Sequence, residues 1–420
     1  MELEKVFGIS VEVNEASYVD RANLDGKLKR LLKRDVHIAM KGASKSGKSW
    51  LRKQCIQNAN VVQCRMNKSV EDIYVEALAN LDVTLVLEQS ETSGIKGTIE
   101  AAGEAGNSLL AKIKGKSGVE AEKNRTVTEK NLKYDLKNLK FIADIINASD
   151  QKLIIEDFHY LSVEARKQFA FDLKTLWDYK CFVVVIGVWT QSNLLTFLNP
   201  DLSGRIEEVS VLWNPEDLRK VLIKGCKELN ASLSYEIENC LVEDSFGNVG
   251  ILQALAYLVF EKEGIFSTLN NKKEISNRDS YIKAAQLYAN QLDGLYQRFA
   301  KNLSTGIRNR HNSTGIYGYT MKAIVEAPNE ELQDGLTRDK IYTIISRWEP
   351  RIQKGNLGVI LRKLVDIQVE SDSGGLTIGY DESTDSVLVV DRQLLFYRKH
   401  HTMKWPWDEL VQEEDENVIS

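Results

Sequence analysis

Apolar side chains recur at helical spacing at Leu24, Leu28, Leu31 and Leu32, and a short apolar run, VHIAM, then leads to Lys41. The first pattern predicts a helix with one buried face, and the second a strand buried on both sides. A loop rich in glycine and serine, GASKSGKSW, occupies 42–50, and KSWLRKQCIQNA resumes with helical character. The alternation continues with VVQCRM as a strand and SVEDIYVEALANL as a helix whose N-cap is Ser69. LKYDLKNLKFIADIINA reads as a helix, KLIIED as a strand, SVEARKQFAFDLKTLWDY as a helix and CFVVVIGVW as a strand. Strands alternating with helices over about 200 residues predict an α/β fold, a parallel sheet with helices on both faces.

Two regions break this rhythm. Residues 89–130 are dominated by glycine, alanine, serine and lysine without a sustained period. They are expected to form an insertion, either a flexible loop or a loosely formed hairpin. From Asn214 to about Arg310 the pattern is mostly helical. In the last hundred residues GYTMKAIVEA, TRDKIYTIISRWEP and GNLGVILRKLVDIQVE read as helices, and GLTIGYDESTDSVLVVDRQLLFY as a β-hairpin. The expected organisation is an α/β core over 1–213, a helical lid and linker over 214–310, an α+β domain over 311–402 and a tail over 403–420. In the tail, Trp405 and Trp407 flank Pro406 and are expected to dock on the body, ahead of an acidic end expected to be disordered.

Composition narrows the classes. The chain has 420 residues, 43% of them hydrophobic and 27% charged, with a net charge of −5. That balance fits globular domains with real cores, and any basic surface for nucleic acid must be local. Cys55, Cys64, Cys181, Cys226 and Cys240 have no CxxC spacing, which argues against zinc or a disulfide framework and fits a reducing, cytoplasmic setting. The mixed charges at the N-terminus do not read as a signal peptide, and CFVVVIGVW is too short to cross a bilayer.

The loop at 42–49 matches G-x-x-x-x-G-K-[ST] in full, between a strand and a helix. Its glycines Gly42 and Gly47 let the backbone turn its N–H groups toward a phosphate, and Ala43, Ser44, Lys45 and Ser46 form the cradle between them. The helix N-terminus adds a positive dipole end. Lys48 supplies a mobile charge for the β- and γ-phosphates, Ser49 a hydroxyl for Mg²⁺, and Trp50 flanks the site. ATP with Mg²⁺ is the implied ligand. A carboxylate is then required at a neighbouring strand end, and KLIIEDFHYL supplies Glu156 and Asp157. Counted back from Leu161, Glu156 falls on the metal position and Asp157 on the water-activating one, inverting the usual order. Asp is one methylene shorter than Glu, so slow hydrolysis is expected. His159 reads as a satisfied loop histidine with a γ-phosphate contact as the alternative.

With these motifs in place, roughly the first 270 residues resemble AAA+ ATPases, in the branch shared by origin-recognition ATPases and the STAND signalling NTPases. The segment YVDRANLDGKL resembles the family stretch that lines the adenine pocket, which implies Tyr18, Val19 and Arg21 near the base. VVVIGVWTQSN resembles the sensor-1 strand, implying Thr190 or Gln191 as the polar residue facing the γ-phosphate. NPDLSGRIEEVSV resembles the arginine-finger segment, which implies Arg205, presented to a neighbouring subunit in a homo-oligomer. An ion pair with Glu207 or Glu208 is the structural alternative. In DSFGNVGILQAL, Gly250 stands where the family has its sensor-2 arginine, a departure that favours a switch over a hydrolysis-driven remodeller.

The order of the C-terminal elements resembles a winged-helix domain. The resemblance implies a third helix offering Lys354, Arg362 and Lys363 to duplex DNA, though Asp381, Glu382 and Asp385 on the wing would repel phosphate. A basic stretch upstream holds Arg298, Lys301, Arg308, Arg310 and His311. Two functions follow as expectations. The first is a slow ATPase switch of AAA+/STAND type that changes assembly or binding of a protein partner, in a defence or stress pathway. The alternative is a DNA-binding ATPase of the origin-recognition or transposition-regulator type. A P-loop metabolic kinase fits poorly, because the lid and winged helix would have no role in it.

Overall fold

The computed structural model describes residues 1–90, 94–101, 103–116, 133–134, 138–189, 191–305, 315–370 and 376–408. Its core is a five-stranded, wholly parallel sheet made of β1 (His37–Lys41), β2 (Ala59–Gln63), β3 (Lys152–Glu156), β4 (Val184–Gly187) and β5 (Ile206–Ser210). The order across the sheet is β2-β3-β4-β1-β5, so one strand separates the glycine-loop strand β1 from the acidic strand β3. Central strands β1, β3 and β4 are buried on both faces, as continuous apolar runs require.

Alternate strand residues face opposite helical layers. Ile38, Met40, Ile154, Val184 and Ile186 pack beneath α1 (Leu24–Leu31) and α2 (Lys48–Cys55). Ala39, Leu153, Ile155 and Val185 pack against α3 (Val70–Ala79), α4 (Leu139–Ala148) and α5 (Val163–Asp178). Ser69 caps α3 in a reciprocal capping box with Asp72, and Ser162 caps α5.

Beyond the sheet, α6 (Pro215–Glu228), α7 (Tyr235–Asp244), α8 (Val249–Lys262) and the long α9 (Arg278–Thr305) form the lid. The helices α10 (Ile316–Glu326), α11 (Arg338–Trp348) and α12 (Lys354–Glu370) accompany a three-stranded antiparallel sheet. Its strands β6 (Leu336–Thr337), β7 (Ile378–Asp381) and β8 (Ser386–Val389) lie in the order β6-β8-β7, and together with the helices they make a winged helix. The lid and the winged helix share one apolar core, which also takes in Leu3, Val6 and Phe7 of the N-terminus. Trp405 and Trp407 stack at 4.8 Å and close this core, with Trp407 only 1% exposed.

Of the two alternatives for the insertion, its first part takes the hairpin, Val83–Ser90 with Gly94–Ala101, followed by the helix Glu104–Lys116. The rest of the expected insertion, 117–130, lies outside the described residues. Two readings of the sequence need correction. The helix expected from 132 starts only at Leu139, while Lys133–Tyr134 pairs as a strand with the hairpin. Finally, DRQLLFY does not extend the wing: Gln393–His400 is a helix, α13, packed on α9. Its apolar residues Leu394, Leu395 and Phe396 are all buried, because this stretch of the helix is covered by the lid and winged-helix core on every side.

Candidate functional site

The loop between β1 and α2 is held open by its carbonyls. The Gly42 and Ala43 oxygens accept from Lys48 Nζ at 3.0 and 2.7 Å, and Ser44 O accepts from Asn248 Nδ2 at 2.7 Å. Lys45 O accepts from Gly250 N at 3.2 Å, and Ser46 O from Trp213 Nε1 at 2.9 Å. Gly47 O accepts from Leu51 N at 3.1 Å. Six consecutive oxygens are therefore engaged, four of them by the lysine of the loop or by the lid, and the first N–H groups of α2 remain without an intrahelical acceptor. Gly47 caps α2 with φ 82°, a conformation open chiefly to glycine.

Two buried polar atoms at this loop have no partner, Ser46 Oγ and Arg21 Nε. Unpaired groups of this kind are costly unless a ligand or water meets them. Ser46 belongs to the lining of the cleft and Arg21 lies against the loop from behind, and the loop residues present fit the phosphates of a nucleotide. A cleft of about 250 Å³ opens beside them, lined among others by Ile9, Ser10, Lys48, Trp50, Asp157 and Gln253. A larger groove of about 410 Å³ in the lid, near Leu222 and Leu233, holds none of the loop or β3 residues.

Burial pushes the Lys48 ammonium down to about 8, against the pull of Asp157 and Glu156. Glu156, at the end of β3, is ion-paired at 3.1 Å with Arg52, one turn after Lys48 on α2. Asp157 follows in the left-handed region (φ 56°) and accepts from Gln63 Nε2 at 3.0 Å. Among the described residues no three His, Cys, Asp or Glu side chains gather as a metal cage. Magnesium at a phosphate site needs only one or two carboxylates besides phosphate oxygens and water, and Ser49, Glu156 and Asp157 are the side chains that would hold it here. His159 also lines the cleft; its Nδ1 accepts from Val188 N at 3.3 Å, and burial lowers its pKa to about 4, so the ring is neutral.

The structure separates other residues that the resemblance grouped. Arg21 is 2% exposed, lies 4.3 Å over the Trp213 ring and leans on the oxygens of Ser46 and Gly47 at 3.4 and 3.5 Å. It therefore backs the phosphate loop instead of lining the cleft. Tyr18 is buried and bonded to Asp25, and Val19 packs on the lid core. Ile9 and Ser10 line the cleft instead, the latter accepting from Trp50 Nε1 at 2.9 Å. No sequence signal had marked them. Arg205 precedes β5 at the end paired with His37, one strand length (about 16 Å) from the glycine loop. Its guanidinium lies 4.9 Å over Trp177, while Glu207 pairs with Arg34 and Glu208 with Lys41. Thr190, Arg308, Arg310 and His311 lie outside the described residues.

Gly250 touches the loop directly. A Cβ there would stand 2.6 Å from Lys45 Cβ and 2.9 Å from Lys45 O, so the lid helix closes on the loop by backbone alone. On the C-terminal domain, Lys354 is paired with Asp339 at 2.8 Å and Arg362 with Glu382 at 3.0 Å, and Lys363 is exposed. Asp381 and Asp385 fold the wing turn, accepting from Ser383 N and ion-pairing with Arg338. Among the described residues no helix is long and apolar enough to cross a membrane.

No family model matches the chain, and no curated protein matches it in sequence. Solved structures do match in shape. A Walker-type ATPase of Pyrococcus abyssi aligns at 14% identity over 94% of this chain and 99% of its own, with a TM-score of 0.55. Cdc6p of Pyrobaculum aerophilum aligns at 11% identity over 98% of each chain, with a TM-score of 0.40. The Orc1 protein of Aeropyrum pernix, in complex with DNA, aligns at 9% identity over 95% of each, with a TM-score of 0.42. The last two superpose too loosely for anything here to rest on them. The first shares its fold with this chain nearly end to end, and that fold is the one expected from the sequence: a P-loop ATPase sheet with helices on both faces, a helical lid and a C-terminal winged helix.

Proposed function

We propose that the chain is an ATP-binding, slowly hydrolysing P-loop ATPase whose nucleotide site governs how its winged helix meets duplex DNA. The observation that carries the reading is a hydrogen bond of 2.6 Å from Lys45 Nζ, on the glycine loop, to Gln393 Oε1, at the start of α13. Any rearrangement of the loop around phosphate reaches the C-terminal domain through that contact. The domains divide near 213, 310 and 402, and residues 42–50 hold the nucleotide. Lys48 leaves the Gly42 and Ala43 oxygens for the phosphates, and Ser49 with Glu156 and Asp157 holds magnesium. Bound there, the ion would draw charge from the phosphate oxygens. Asp157 orients water from a short side chain, which keeps turnover slow. Arg205 is too far from its own loop to serve it and acts on that of a second subunit.

Duplex DNA is favoured because the outward face of α12 is uncovered: Lys354, Asn356, Val359, Arg362 and Lys363 are exposed. The second reading, a STAND-type switch with a protein partner, is favoured by the pairs Lys354–Asp339 and Arg362–Glu382, which neutralise that face. Steady-state hydrolysis across protein concentrations, with and without duplex DNA and with Lys48→Ala as blank, separates them. Turnover that jumps with DNA supports the first reading. Per-subunit turnover that rises with concentration and ignores DNA replaces it with the second.

A further inference from the structure

A dense group of positive charges without an ion pair among the described residues lies on the ATPase core. On α1 and the turn that continues it, Lys27, Lys29, Arg30 and Lys33 are exposed and form no ion pair with a described residue, although Lys29 attracts the Asp25 carboxylate from one turn away. Arg34, next in line, is held at 2.9 Å by Glu207. Helical hydrogen bonding runs on past Leu31, with Lys33 N bonded to Arg30 O and Arg34 N to Leu31 O. Lys27, Arg30 and Arg34 therefore form one stripe, with Lys29 and Lys33 forming a second beside it. Over this length the two stripes extend about 10 Å.

Leu24, Leu28 and Leu31 seat the helix on the sheet, so these cations face outward. The carboxylate of the helix, Asp25, is turned inward, accepting from Tyr18 OH at 2.8 Å. Like charges at such spacings repel and weaken the helix that carries them. The helix dipole favours the cations at its C-terminal end, but it does not account for Lys27 at mid-helix. In a chain with net charge −5 this is a concentrated local field, whereas Lys354 and Arg362 on the winged helix already have acidic partners.

We propose that this face of α1 is a second contact for duplex DNA, one that grips phosphates and does not read bases. The inference rests on the duplex-DNA reading above. Duplex DNA presents about one negative charge per 1.7 Å of axis, a density that a row of mobile lysines matches without a fixed geometry. Such contacts set register and orientation, leaving sequence to α12.

The test uses the full chain carrying Lys27→Gln, Lys29→Gln, Arg30→Gln and Lys33→Gln together, with duplex DNA in a salt series. Affinity at low salt should fall about tenfold or more, and the slope of log K against log salt by up to about 3.6, about 0.9 for each lost phosphate contact. ATP binding should be unchanged, and thermal melting should stay level or rise slightly as the like-charge repulsion is relieved. An unaltered slope and affinity overturns the inference, and so does a lower melting temperature with DNA binding intact. A companion variant, Lys354→Gln/Arg362→Gln/Lys363→Gln, separates the two surfaces. Loss of binding there alone keeps the DNA reading and overturns this one. Wild-type protein that retains no duplex at low salt overturns both, and a preference for single-stranded RNA that depends on α1 overturns the choice of partner.

Discussion

Lys45 donates from Nζ to Gln393 Oε1 at 2.6 Å, joining positions 348 apart in sequence. Gln393 Oε1 also accepts from Tyr288 OH at 2.9 Å. The two preceding residues are anchored as well. Arg392 Nη1 donates to Phe246 O at 2.6 Å, and Asp391 accepts from Tyr296 OH at 2.9 Å. Three consecutive residues thus touch the glycine loop, the turn that leads into α8, and α9. A hydrogen bond to a charged group contributes about 1.5–3 kcal/mol, toward the lower end where, as here, the lysine is exposed. Gln393→Ala should therefore loosen the C-terminal domain without unfolding it. Limited proteolysis should show faster cutting in the C-terminal domain, and ATP should no longer change the pattern. An ATP-dependent pattern that survives the substitution would remove this contact as the link.

Nucleotide affinity should depend on alkaline pH through Lys48. Its folded pKa is depressed to about 8, so the ammonium is present below that value and lost above it. A bound phosphate favours the charged form, and binding above pH 8 must take up a proton. Affinity should fall by up to about tenfold per pH unit between about 8 and 10, as measured by fluorescent-nucleotide titration. Lys48→Ala should bind weakly and show no such trend. The stability of the empty protein runs the other way. A lysine whose folded pKa lies below its unfolded 10.5 destabilises while charged, so its contribution improves as pH rises through about 8.

Gly250→Ala tests the close approach of the lid. The added methyl meets Lys45 Cβ and O, atoms near or in the backbone that have no room to swing away. Forcing α8 off the loop costs about 1–3 kcal/mol. A lower melting temperature together with weaker nucleotide binding is expected. Gly250→Arg should be worse still and should not restore a γ-phosphate contact. A neutral Gly250→Ala would mean that the lid yields easily.

The sheet, its covering helices and the glycine loop were legible because local patterns carry them. The strand VHIAM, the cap at Ser69 and the G-x-x-x-x-G-K-S spacing each act within a few residues. What escaped was set at long range. Ile9 and Ser10 join the cleft only because the chain before α1 crosses α2, and Arg21 is drawn from the cleft by Trp213, far along the chain. Helix α13 was read as strand because LLFY is apolar throughout, so periodicity alone cannot separate a buried helix from a buried strand. Within one subunit Arg205 rests on Trp177, a contact between residues 28 apart that no local pattern marked.

Arg52 offers the sharpest test of the carboxylate pair. It lies one turn beyond Lys48 and holds Glu156 at 3.1 Å, with both side chains largely buried. In that arrangement the carboxylate proposed for magnesium already has a cation, and a metal must compete with the guanidinium. Arg52→Gln removes the competitor but leaves a polar side chain beside Glu156. The magnesium concentration giving half-maximal nucleotide binding should fall severalfold, while binding without metal should weaken or stay level. Breaking a buried pair also leaves an uncompensated charge, at a cost of about 3–5 kcal/mol, so the melting temperature of the empty protein should drop and recover with MgATP. If stability drops and the magnesium dependence does not move, Glu156 is a structural partner of Arg52 and the metal relies on Ser49 and Asp157.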